Sequence, residues 1–247
     1  MPEPTQPLLV SVAFVVSLSA LAWLSRQISI HIQIPVYYAT RSHDAPTLAI
    51  FLVFLPGVFI HESAHWLAAR LLGLRTGKFR VWPKRTGKSI GLGSVSVQTG
   101  GPVADSLVGM APLLAGSALI ALISHYVFDA SQLTATLIDG DWRGSVQAFR
   151  QALGQPDGIL WAYLLFTIAN SMMPSASDRQ PLKPVLLYAA AAVGLYLLLG
   201  LPLNPLAQLV DWSLPVLEYL TSAFIFTIVL NALVLAALFL IRKLGRM

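Results

Sequence analysis

Apolar residues gather along the chain into six long runs, approximately 7–25, 48–72, 103–128, 158–173, 184–201 and 216–241. A bilayer core about 30 Å thick needs roughly 20 apolar residues in a helix, so the pattern predicts about six transmembrane helices. Between the last two runs, 201–215 carries three prolines and a tryptophan and is expected to be an interfacial loop. The polar stretch 129–157 contains Val146, Phe149 and Leu153 at helical spacing, which predicts a short helix lying on the membrane surface. A different period governs 78–99. Ile90, Leu92, Val95 and Val97 alternate with small or polar residues, so 78–83 and 89–99 are expected to be two strands around the basic turn 84–88. The first run follows MPEPTQ, which has no basic residue, and reads as a retained helix rather than a signal peptide.

Composition agrees with the runs. Of 247 residues 56% are hydrophobic and 11% charged, with mean hydropathy +0.70, against about 25% charged in a soluble domain. This leaves too little polar material to coat a water-soluble fold. The pI near 9.7 is therefore read as a topology signal, with lipid and not nucleic acid as the implied partner. Eleven Lys and Arg fall in 73–102, 174–183 and the C-terminal segment, and four (Arg26, Arg41, Arg143, Arg150) on the other side. Six spans and the positive-inside rule then put both termini in the cytoplasm, and the chain is expected to be a multi-pass protein of a prokaryotic cytoplasmic membrane. There is no cysteine, so a metal would have to be held by His, Asp or Glu.

The second apolar run contains His61-Glu62-Ser63-Ala64-His65. Residues i and i+4 share a helical face, so both imidazoles can reach one zinc ion, with Glu62 beside them as general base. A structural reading, in which these polar groups bond neighbouring helices, is the alternative. The flanking sequence is too continuously apolar for a water-exposed protease cleft. Two histidines leave zinc short of its usual three protein ligands. His31, His43 and His125 lie elsewhere along the chain. Asp178, just past the fourth run, is the leading third candidate and Asp105 the second.

These residues resemble the site-2 protease family of intramembrane zinc metalloproteases. The family pairs its His-Glu-x-x-His helix with a later Asn-x-x-Pro-x-Pro-x-Leu-Asp-Gly segment. Asn170 to Asp178 keeps the Asn-to-Asp separation, with the proline at 174, Ser177 in place of Leu and Arg179 in place of Gly. Gly101-Pro102 opens the third run as a Gly-Pro pair opens the family's middle core helix, with Asp105 where Asn is more usual. The resemblance implies an all-α polytopic membrane protein with a three-helix metalloprotease core and a small cytoplasmic-side β element. It further implies an organisation of 1–47, a catalytic core 48–180, and 181–247. His61, His65 and Asp178 would hold one zinc ion per chain, Glu62 would act as base, and Asn170 would hold substrate backbone or an oxyanion. The implied activity is hydrolysis, by a zinc-activated water, of transmembrane protein substrates near the cytoplasmic face. A catalytically silent relative that binds membrane segments, or a metal transporter, are the other functions the same residues allow.

Overall fold

The structure, a computed structural model, describes residues 6–86, 89–91 and 94–244. Helices dominate, and the β structure amounts to two small two-stranded sheets. Among the described residues, four helical segments are long and apolar enough to cross a membrane, or five if one bent pair counts as a span. This is the all-α membrane architecture expected from the hydrophobic runs, with fewer clear crossings than six.

α1 runs from Gln6 to Thr40, well past the predicted end near residue 25. Ser25, Arg26 and Gln27 are a short polar step, and Ile28 and Ile32 continue the apolar stripe beyond it, with no helix breaker until Pro35. The predicted loop from 26 is therefore mostly helix, and His31 lies on it. α2 (Ala45–Val53) and α3 (Leu55–Leu71) replace the predicted single second span and meet at 81°. Pro56 is the cause: its ring clashes with the carbonyl four residues back and it offers no N–H, so the helix restarts there.

The β element is formed by β1 (Thr76–Arg80), β2 (Lys84–Thr86), β3 (Ser89–Gly91) and β4 (Ser94–Val97). β1 pairs with β4 and β2 with β3, both antiparallel. The expected turn at 84–88 is thus partly strand, with Gly87 and Lys88, like Leu92 and Gly93 of the expected second strand, outside the described residues. α4 (Pro102–Tyr126) matches the third run closely.

α5 (Ala130–Ile138) and α6 (Trp142–Leu153) occupy the polar stretch. Leu133, Ala148 and Ala152 are buried, and Phe149 packs its ring 5.4 Å from Phe226. Of the stripe read from the sequence, Phe149 and Leu153 pack against the core and Val146 is exposed. α7 (Gly158–Ser171) is apolar but only 14 residues long. α8 (Ala176–Arg179) and α9 (Leu182–Leu198) follow, and α10 (Asn204–Leu244) is one 41-residue helix. Pro205 near its first turn costs nothing there, and Pro215 is absorbed inside the helix. The predicted interfacial loop is therefore helical from Asn204 onward.

The first and last helices pack along each other. Phe14 stacks on Phe224 with centroids 5.8 Å apart. Farther along, Ser25 donates to the backbone oxygen of Asn170, whose side chain bonds Asn231. Beyond that, His31 and Pro35 share a cavity wall with Leu238 and Arg242. The sequence offset stays nearly constant across these levels, so α1 and α10 run parallel. The N-terminal end of α1 and the C-terminal end of α10 thus lie at opposite ends of this parallel pair. Residues 1–5 and 245–247 themselves, Arg246 included, lie outside the described residues.

Candidate metal centre

His61 and His65 face one way from α3 because they are four residues apart on one helix. Each ring is held by a backbone carbonyl that its own helix does not use. His61 Nδ1 is 2.7 Å from the oxygen of Ser171, the last residue of α7, where terminal carbonyls lack intrahelical donors. His65 Nδ1 is 2.8 Å from the oxygen of Val108, within α4. That oxygen would normally accept from the residue four positions later, which is Pro112 and has no N–H.

A carbonyl only accepts, so each Nδ1 carries the proton and each Nε2 presents a lone pair. The two Nε2 atoms lie 3.2 Å apart, two acceptors facing each other with no hydrogen to share. Asp178 joins them, with Oδ1 3.6 Å from His65 Nε2 and Oδ2 3.8 Å from His61 Nε2. Such a convergence of lone pairs and a carboxylate calls for a cation. Zn–N bonds of about 2.05 Å in tetrahedral geometry put two ligand nitrogens about 3.3 Å apart, close to the separation observed here. Among the described residues, His61, His65 and Asp178 form the one group of at least three such side chains able to share a metal ion.

Asp178 reaches this position through three local devices. Pro174 follows α7, and Ser175-Ala-Ser-Asp178 forms a capping box: Ser175 N–H donates to Asp178 Oδ2 at 2.8 Å, and Asp178 N–H to Ser175 Oγ at 3.3 Å. Ser106 of α4 donates to the oxygen of Pro181 at 2.6 Å, tying the far end of the segment down. Gly109 removes the obstacle between them, since a Cβ there would collide with the Asp178 carbonyl oxygen. Met173, Pro174 and Ser175 lie between α7 and α8, outside either helix, and the capped turn that follows carries Asp178.

The other candidates separate. Asp105 accepts from Gly100 N–H at 2.8 Å at the start of α4 and is not part of the cluster. Arg179 donates from Nε to the Ser175 oxygen at 3.3 Å. Asn170 borders the same cavity, but its Nδ2 bonds the Phe166 oxygen at 2.7 Å and Asn231 Oδ1 at 3.3 Å. Both amide hydrogens are therefore committed, leaving no donor for an oxyanion. Asn231, fully buried on α10, was not singled out by the sequence, although a lone Asn in an apolar run was a signal for it.

The cluster opens on a cavity of about 510 Å³ that Glu62, Ser29, Ile50, Val95 and Ser177 also border. Glu62 is buried among these groups. A second cavity of about 330 Å³ lies across His65 and Asp178, and Val95 of β4 borders both. Comparison with protein-family models, with curated proteins and with solved structures finds no match for this chain.

Proposed function

We propose that the chain is an intramembrane metalloprotease of the site-2 protease kind, hydrolysing peptide bonds of transmembrane protein substrates. The observation that carries this reading is the convergence of two Nε2 lone pairs and the Asp178 carboxylate beside Glu62. In it His61, His65 and Asp178 hold one zinc ion and Glu62 is the general base. Zinc, when bound, supplies Lewis-acid chemistry, acidifying water and polarising a carbonyl. Glu62 takes a proton as the water oxygen adds to the scissile carbonyl carbon. It returns that proton to the amide nitrogen as the C–N bond breaks. Asn170, with its donors committed, acts as a tie between α7 and α10.

A membrane helix hides its peptide groups, so a substrate must unwind to be cut. β4 is paired with β1 on one edge only, and Val95 borders both cavities. The other edge of β4 is suited to pairing with an extended substrate strand next to the cluster. The cavity also joins β4 to Ser29, in the C-terminal half of α1. The basic β element, Arg41, Arg242 and Lys243 therefore gather toward one end of the bundle, which the positive-inside rule makes cytoplasmic. The N-terminal end of α1 faces the other side, and cleavage occurs nearer the cytoplasmic face.

The break between α2 and α3 favours a second reading, a metal transporter, since broken helices commonly carry ion sites. Such transporters pair their broken helices, and one bent pair occurs among the described residues. One experiment separates the two. Purified full-length chain is incubated with labelled transmembrane peptides, and also sealed into proteoliposomes holding a zinc indicator. Peptide cleavage that stops with chelator and returns with zinc is the expected result. Zinc flux without cleavage would replace this reading with the transporter.

A further inference from the structure

Away from the metal cluster, a cavity of about 690 Å³ runs between α1, α7 and the end of α10. Its walls are largely apolar, including Ile32, Phe166, Val234 and Leu238, and Arg242 and His31 border it as its two basic side chains. Because α1 and α10 run parallel, these two stand at the same level and give the groove a polar end. His31 Nδ1 donates to the Gln27 oxygen at 2.9 Å, so the neutral ring presents Nε2 as an acceptor. Among the described residues no carboxylate lies within ion-pair distance of Arg242.

The length of the groove bears on its occupant. Leu230 and Arg242, both on the wall, are twelve residues apart, about 18 Å along a helix. That length is close to the roughly 15 Å that one leaflet contributes to a bilayer core about 30 Å thick. One acyl chain of a single leaflet spans it.

We propose that this groove is a binding site for an anionic phospholipid of the surrounding bilayer. One acyl chain lies along the apolar walls, and the headgroup phosphate is held by Arg242, with His31 Nε2 beside it placed to accept from a headgroup hydroxyl. A headgroup of net negative charge is preferred, because a zwitterionic one brings a cation of its own to Arg242. The site is independent of the proteolytic reading.

The test uses the full chain reconstituted in phosphatidylcholine vesicles carrying a minor fraction of phosphatidylglycerol, followed by gentle extraction and mass measurement of the retained lipid. Wild type should retain phosphatidylglycerol in preference to phosphatidylcholine. Arg242→Gln, at an end of the last helix where folding is not at stake, should cut that preference roughly five-fold. Leu238→Trp, which fills the groove, should reduce retention of both lipids. Equal retention of the two lipids by wild type, an unchanged preference in Arg242→Gln, or full retention in Leu238→Trp would each overturn the proposal. So would recovery of a protein segment cross-linked into the groove in place of lipid.

Discussion

Pro112 and His65 are linked through a single atom, the carbonyl oxygen of Val108. Pro112 cannot donate to that oxygen, and His65 Nδ1 occupies it at 2.8 Å. A proline inside a membrane helix thus creates the acceptor that fixes the tautomer and ring direction of a metal-ligand candidate. Pro112→Ala restores a competing N–H and makes α4 a more regular helix. It should lower zinc affinity roughly 10- to 100-fold, the usual cost of losing an outer partner, while thermal stability holds or rises. Competition with a chromophoric chelator reads the first quantity. An unchanged affinity would remove Pro112 from the account.

Gly109 tests the third ligand in the same way. Alanine is a better helix former than glycine, so Gly109→Ala should leave α4 intact. Its methyl would meet the Asp178 carbonyl oxygen and push the 175–178 turn away from the histidines. Zinc affinity should fall roughly 10- to 100-fold, as it should not for Asp105→Asn, whose carboxylate accepts from Gly100 N–H instead. Matching affinities for the two variants would contradict the ligand assignment.

The histidine pair was legible in the sequence because its geometry is local: an i, i+4 spacing on a helix needs no tertiary information. The position of Asp178 was legible only as a suspicion. Its approach depends on Gly109 and Ser106 of another helix and on a capping box whose Ser-x-x-Asp pattern was present but not read as one. Pro56 likewise stood in the sequence inside an apolar run, and hydropathy alone carried the span straight through it. The relation of α1 to α10 was beyond sequence reasoning. Apolar runs carry no direction, and the parallel packing rests on contacts such as Phe14 with Phe224, more than 200 residues apart.

Asn170 and Asn231 form a buried polar link between α7 and α10, while Asn170 Oδ1 and Asn231 Nδ2 have no partner among the described residues. A double-mutant cycle with leucine at each position should give a coupling energy of about 0.6 kcal/mol, with about 1.7 as the upper range for such pairs in membranes. Unfolding in mixed micelles measures it. Zero coupling, together with loss of turnover only in the Asn170 variant, would instead restore Asn170 as a group that contacts substrate.

The absence of cysteine makes the topology directly testable. Asp211 and Lys243 lie on one continuous helix, 32 residues or about 48 Å apart, more than the roughly 30 Å of a bilayer core. Single cysteines at the two positions should label from opposite sides of sealed vesicles, with Lys243→Cys reached from the cytoplasmic side. Labelling of both from one side would mean that α10 does not span the membrane as a single helix.

Glu62→Gln keeps the size and shape of the side chain while removing its ability to take a proton. Zinc content and peptide cleavage measured together on this variant bear most directly on the claim that His61, His65 and Asp178 hold the metal while Glu62 does the proton transfer. The expected result is zinc retained at the wild-type ratio with cleavage reduced roughly 100- to 10,000-fold, the contribution of a general base. Wild-type cleavage by Glu62→Gln with its zinc intact would contradict the account.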